Sequence, residues 1–229
     1  IPDNVIGRAE KEMDDHRKMK IGFTCGIEKS KVYSNPDVGN IYEIPLVFKK
    51  QGMDNAILEH FNLKSKSDEI KDWEKFIEQV SSLKETVRVG IVGKYFDSGD
   101  FNLVDSYISV IEAVKHAAWQ NKVKPEIIWI DAKKYEKDVD QLDELKEVDC
   151  VVVPGGFGKS GIEGKVLTAQ FCRENNIPYL GLCLGLQIAV IDFARHLCGM
   201  EGANSTEFNE KTKFPVVAIL DGMEDILKK

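Results

Sequence analysis

The fold turns on Ile177–Val190, "IPYLGLCLGLQIAV". The first six residues form a short apolar run, and a helical period begins at Leu184. Such a junction reads as a buried parallel strand feeding a crossover helix. One cysteine, Cys183, stands at the turn, with Gly181 and Gly185 two residues to either side. Glycines permit the tight backbone and the close helix–strand approach that this turn demands. A sharp strand-to-helix turn lifts its side chain above the sheet, as in a nucleophile elbow. The helix N-terminus then favours a thiolate. The competing reading is a small cysteine buried at a strand end.

Working outward, residues 87–229 alternate strand and helix. Strands are expected at "VRVGIV", "EIIWID", "DCVVVP", "IPYLGL" and "PVVAIL". Helices are expected over Asp105–Gln120, about Gly164–Asn175 and Leu184–Cys198. In the first, Tyr107, Val110, Ile111, Val114 and Ala118 form the buried stripe; in the last, Leu186, Ala189, Val190, Phe193 and Leu197 do. Apolar strands with helical crossovers give an α/β fold: an open, mostly parallel sheet with helices on both faces. In such sheets ligands bind beyond the carboxyl ends of the strands. Three unusual loops fall there: Gly93-Lys94-Tyr95, Pro154-Gly155-Gly156-Phe157-Gly158, and the turn at Cys183. Backbone N–H groups of Leu184 and of the Gly155-Gly156 turn are placed to face an oxyanion. A phosphate-loop reading of "PGGFG" fails, because neither G-x-x-x-x-G-K-[ST] nor G-x-G-x-x-G is present.

The remaining cysteines, Cys25, Cys150, Cys172 and Cys198, have no comparable setting, and the last three read as packing residues on a strand or helices. An odd count of five with no C-x-x-C pair fits a reducing compartment rather than a disulfide framework or a zinc site. No metal site is expected. A thiol nucleophile needs a base, yet His196 lies thirteen residues along the same helix, roughly 20 Å away at the helical rise. His116 falls at the far end of the first helix, and His16 and His60 fall upstream. Either the base is missing from this chain or another group serves.

Upstream, four segments are expected in residues 1–63: a strand at "RKMKIGFTC", short strands at "KVYS" and "NIYEI" about the turn "NPDVG", and a helix through "PLVFKKQGMDNAILEHF" weakened at Gly52. This zone has too few elements to close a core and reads as the end of a larger domain. In residues 64–86, Ile70, Trp73, Phe76, Ile77, Val80 and Leu83 recur at helical spacing, with Ser67 or Asp68 as cap, giving a connecting helix. The net charge of −7 disfavours a nucleic-acid partner. No apolar run reaches the roughly 20 residues of a membrane span; the acidic charge and the cysteine usage lead to the expectation of a cytoplasmic location. The start at Ile1 rather than methionine reads as a sign of a fragment.

The residues carry a resemblance. "VPGGFG", "ENNIPYLGLCLGLQ" and "ANSTEF" resemble the class I glutamine amidotransferase domain of the CTP synthase family. "KIGFTC", "IYEIPL" and "QGMDNAI" resemble the end of that family's amidoligase domain, and "VGKY" with "DSYISVIEAVKHA" the start of its glutaminase domain. The resemblance implies residues 1–63 as the C-terminal part of an α/β amidoligase domain, 64–86 as linker, and 87–229 as an incomplete amidotransferase domain. It implies a ligase that aminates UTP to CTP with ATP and Mg2+, using ammonia from glutamine.

Cys183 is then the glutaminase nucleophile. The resemblance implies that Gly155, Gly156, Phe157, Leu184, Gly185 and Leu186 form the oxyanion and glutamine pocket, that Gln187 contacts the bound glutamine and that Glu207 grips its α-amino group. The resemblance also implies that Lys20 binds the pyrimidine triphosphate and that Pro36, Asp37 and Val38 border the adenine of ATP; the alternative is a solvated lysine and an ordinary turn. CTP as feedback inhibitor, GTP as activator and a homotetramer follow by the same resemblance. The family's His-x-Glu, P-loop and metal ligands are not in this sequence, and "YFDSGDFNLVD" is longer than the family pattern. On that ground the isolated chain is expected to lack full turnover. Two rivals remain: a DJ-1-type cysteine hydrolase, and a truncated, non-catalytic regulatory or assembly module.

Overall fold

The computed structural model describes residues 1–65, 70–93, 107–156 and 158–218. The chain divides into two compact units, Ile1–Ser82 and Leu83–Lys229.

In the first unit, β1 (Val5–Arg8) and β2 (Val32–Asn35) pair in parallel, Val5 opposite Val32 and Arg8 opposite Asn35. Between them in sequence runs α1 (Asp15–Cys25), where a strand is expected from "KIGFTC". Its ends explain the difference. Asp14 caps the helix by accepting from the Arg17 N–H at 2.8 Å, and Gly26, at φ 70°, closes it in the left-handed region that glycine tolerates. "NIYEI" is likewise helical: a 3-10 turn at Ile41–Glu43, capped by Asn40, enters α2 (Ile44–Lys50) with a proline in its first turn. Gly52, at φ 76°, breaks the expected single helix into α2 and α3 (Met53–His60). Gln51, just past α2, pairs with Ser34 like a strand: its Nε2 donates to the Ser34 carbonyl and its Oε1 accepts the Ser34 N–H, both at 2.8 Å. Lys18 Nζ donates to the same Oε1 at 2.9 Å, tying α1 to β2.

The helix read as a connector is α4 (Ile70–Ser82). Trp73 Nε1 donates to the Tyr42 carbonyl at 2.8 Å, so α4 is anchored within the first unit. Ile77 is buried, and the rest of the expected stripe is half-buried. The proposed caps Ser67 and Asp68 lie outside the described residues.

The second unit is built on a parallel sheet of β3 (Thr86–Gly93), β4 (Lys124–Asp131), β5 (Cys150–Val153) and β6 (Tyr179–Gly181), in the order β4-β3-β5-β6. The winding reverses between β3 and β5, the kind of switch point at whose carboxyl ends open α/β sheets bind ligands. Both faces are covered. Ile91 packs with Tyr107, the residue before α5 (Ile108–Gln120), and with Ile111 inside that helix. Its neighbour Val92 points the other way, into a cluster with Ile130, Val151, Val153 and Cys172. Cys172 belongs to α6 (Ile162–Glu174). Apolar residues on both faces are why these strands read as continuous runs. Between β4 and β5, 3-10 turns over Ala132–Lys134 and Val139–Glu147 bury Leu142 and Leu145 in the same cluster.

Two expectations fail here. In α7 (Leu184–His196) the buried residues are Leu184, Gly185, Ile188, Ile191, Asp192 and Ala194. Of the expected stripe, Leu186, Phe193 and Leu197 are more than half exposed and Val190 is 40% exposed. The helix is apolar on most of its circumference, so periodicity cannot choose a face. The phase is set by a backbone contact: a Cβ on Gly185 would stand 2.0 Å from the Val153 carbonyl oxygen, so this edge must face the sheet. Second, the strand in "PVVAIL" is β8 (Pro215–Val217), which pairs in parallel with β7 (Asn204–Ser205) in a separate two-stranded sheet. Ile219 and Leu220 lie outside the described residues, as does the loop over 95–105.

Candidate active site

Cys183 sits between β6 and α7 with φ 54° and ψ −108°, and its side chain is exposed. A non-glycine residue here costs on the order of 1–3 kcal/mol and persists only where its surroundings enforce it. They do so first through backbone bonds. Leu182 N–H donates to the Val153 carbonyl at 2.9 Å, Gly185 N–H to that of Leu182 at 3.0 Å, and Leu186 N–H to that of Cys183 at 3.1 Å. Close packing adds to them. A Cβ on Gly181 would meet Gly185 backbone atoms at 2.4 Å, so both glycines are needed for α7 to start this near the sheet.

The Gly155 turn borders the thiol. A Cβ built on Gly155 would lie 3.5 Å from Cys183 Cβ and 3.8 Å from Sγ. Thus β5 and β6 deliver the Gly-rich turn and the cysteine side by side. Gly156 is half-buried beside Gly155; Phe157 lies outside the described residues. The first N–H groups of a helix lack intrahelical acceptors. Those of Gly185, Leu186 and Gln187 turn back onto Leu182 and Cys183. The Leu184 N–H is not among the N–H groups that make these turn bonds.

Leu184 itself is a packing residue, buried with Ile162, Val166, Ile188 and Ile191. Leu186 is 60% exposed on the first turn of α7, and Gln187, next to it, is half-buried. Glu207 is exposed just after β7, its N–H donating to Ser205 Oγ at 3.2 Å. Its neighbour Phe208 packs on the cluster that holds Leu184, which brings the "STEF" segment to the α7 side of the unit.

The histidine nearest in sequence is accounted for otherwise. His196 Nδ1 lies 2.7 Å from Asp192 Oδ1, and Arg173 reaches the same carboxylate from α6 through Nε at 3.0 Å and Nη2 at 3.2 Å. This cluster closes the end of α7 remote from Cys183. The other thiols differ from Cys183. Burial pushes the Cys172 thiol up to about 12, and burial with the Asp149 charge raises that of Cys150. Cys198 is exposed.

In the first unit, Lys20 is exposed on α1, not on a strand as expected. Pro36, Asp37 and Val38 follow β2 directly, at the carboxyl edge of the parallel pair. Asp37 forms an ion pair with Arg8 at the end of β1. Asn35 Oδ1, one residue before Pro36, is buried with no hydrogen-bond partner. Among the described residues no group of three or more His, Cys, Asp or Glu side chains gathers. None of the described helices is long and apolar enough to cross a membrane.

One residue of the elbow escaped sequence reading. Tyr179 on β6 donates its hydroxyl to the Gly185 carbonyl at 2.8 Å. Its only sequence signal is a polar-tipped aromatic in an otherwise aliphatic strand.

Comparison with known proteins follows the same division. The family model for class-I glutamine amidotransferases matches residues 102–223, and that for the CTP synthase N-terminus matches residues 1–63. A CTP synthase of Blochmanniella floridana is 44% identical over 224 residues, covering 97% of this chain and 40% of the relative. One of Clostridium beijerinckii is 42% identical over 225 residues, covering 98% and 41%. The chain therefore spans about 40% of the length of these relatives. The solved glutaminase domain of Trypanosoma brucei CTP synthase, with bound acivicin, aligns with a TM-score of 0.54 at 39% identity, over 59% of this chain and 50% of that one. The chain belongs to the class-I glutamine amidotransferase family, joined, as in the CTP synthases it resembles along nearly its whole length, to a CTP synthase N-terminal segment.

Proposed function

We propose that this chain carries the glutamine-hydrolysing centre of a CTP synthase and the end of its amidoligase part. The observation that carries the reading is the exposed thiol of Cys183 on a strained elbow, with the Gly155 turn against it. Cys183 Sγ attacks the side-chain carbonyl carbon of glutamine. The carbonyl oxygen becomes an oxyanion received by Leu184 N–H and the Gly155-Gly156 turn. The C–N bond breaks, ammonia leaves with the proton, and a thioester remains until water releases glutamate. Gln187 and Glu207 hold the substrate, with Gly185, Leu186 and Phe157 shaping the pocket. In the family pattern the proton carrier is a His-x-Glu pair, and no His-x-Glu occurs in these 229 residues.

The released ammonia would aminate UTP at an ATP-using site to which the first unit contributes. Pro36, Asp37 and Val38 stand where a parallel strand pair presents its carboxyl edge, and the orphaned Asn35 Oδ1 there fits a ligand N–H such as an adenine amine. Lys20 is free of the sheet and exposed, as a triphosphate contact requires. The described residues offer no cluster to hold the Mg2+ that accompanies ATP. Cytoplasmic location, homotetramer formation, inhibition by CTP and activation by GTP belong to the same proposal and rest on the family resemblance alone. A DJ-1-type hydrolase gives no account of residues 1–63, which match the CTP synthase N-terminus.

The test is incubation with acivicin, the ligand bound in the Trypanosoma brucei glutaminase domain, followed by peptide mapping. An adduct on Cys183, absent in Cys183→Ser, supports the reading. An adduct only on Cys198, or none on Cys183, overturns it.

A further inference from the structure

Cys183 is held in a conformation that its own backbone disfavours, and most of what holds it is main chain: the bonds of Leu182, Gly185 and Leu186, and the glycine contacts. Among the described residues, one side chain joins this set by a hydrogen bond. Tyr179 leaves β6 four residues before the cysteine, and its ring packs against both clusters of the α6 face, that of β5 and α6 and that of α6 and α7. Its hydroxyl then reaches the carbonyl of Gly185, two residues beyond the cysteine. The bond therefore spans the elbow from the strand that enters it to the helix that leaves it. Burial holds the phenol in its neutral, donating form. Gly185 has no side chain, and its backbone lies against Val153, so the Tyr179 bond pins the element whose position fixes Sγ beside the Gly155 turn.

We propose that Tyr179 is a positioning residue for the Cys183 nucleophile. It fastens the first turn of α7 to β6, so that the strained elbow holds one geometry and the thiol stays against the Gly155 turn. The inference rests on Cys183 being the nucleophile of the proposed reaction. The tether itself is a claim about the elbow and can be read without glutamine chemistry.

The experiment compares the parent chain with Tyr179→Phe, which keeps the ring and removes the donor. Alkylation rates of Cys183 and Cys198 by iodoacetamide are followed by mass spectrometry on the same molecules, with Cys198 as internal reference. Acivicin labelling of Cys183 runs in parallel. Losing one hydrogen bond predicts an approximately three- to tenfold fall in acivicin labelling and a changed Cys183-to-Cys198 ratio with iodoacetamide. A core truncation, Val148→Ala, controls for stability: it lowers the melting temperature and leaves that ratio alone. Should Tyr179→Phe keep both readouts within twofold of the parent, the positioning role is refuted. If acivicin fails to label parent Cys183, the glutaminase reading falls, and the iodoacetamide ratio still decides the tether.

Discussion

Gly185→Ala probes the contact that sets the whole site. The new Cβ would stand 2.0 Å from the Val153 carbonyl oxygen and 2.9 Å from its carbonyl carbon. Ordinary contact lies about 3.4 Å or more away, so the start of α7 must retreat by roughly 1 Å or β5 must yield. Overpacking of this kind costs about 1–3 kcal/mol, offset by about 1 kcal/mol of helix propensity gained from replacing glycine. The net loss of stability is therefore modest, about 0–2 kcal/mol. The functional loss is larger, because Cys183 begins the same turn, and a misplacement of about 1 Å costs on the order of 100-fold in a positioned reaction. The assay is the rate of acivicin labelling at Cys183 at matched fractions folded, alongside a urea melt. Labelling within threefold of the parent would refute the claim that the Gly185–Val153 contact positions the thiol.

Three further outcomes are expected. Gly164→Ala in α6 would place a Cβ 1.8 Å from the Ala132 carbonyl oxygen, so it should cost about 1–3 kcal/mol in a denaturant melt; a neutral result would contradict the close approach. Asp192→Ala strands Arg173 and His196 and should destabilise by about 1–3 kcal/mol, while Cys183 labelling of the folded fraction stays unchanged. Cys172 has its folded thiol raised to about 12 from an ordinary 9.0. Its contribution to stability is thus complete below about pH 9 and is lost as pH rises toward 12. Cys172→Ala should flatten the alkaline fall in melting temperature, and an unchanged slope would count against the buried thiol.

What could be read from the sequence follows from where side chains, rather than backbone geometry, decide. The strands of the second unit were legible because residues such as Ile91 and Val92 are apolar toward both faces. The elbow was legible because Gly181, Cys183 and Gly185 fall at a strand end. The face of α7 was not, since Gly185 sets its phase through a backbone contact that hydrophobic periodicity cannot register. The first unit misled for a related reason. "KIGFTC" has strand-like content, and only its capping residues Asp14 and Gly26, outside the run itself, mark it as helix. The Tyr179 tether has no signature in the sequence, because it depends on the position of a carbonyl six residues away. Glu207 follows no strand of the main sheet, and the family resemblance alone singled it out.

The central claim is that Cys183 is a nucleophile built for glutamine, not a reactive surface thiol. Its most direct test is protection. Acivicin labelling of Cys183 and of Cys198 is timed with and without L-glutamine, with L-asparagine as the shorter homologue. The account predicts that Cys183 labels faster than Cys198, and that glutamine slows Cys183 alone while asparagine does not. Equal labelling of the two exposed cysteines, with no protection by glutamine, would contradict it.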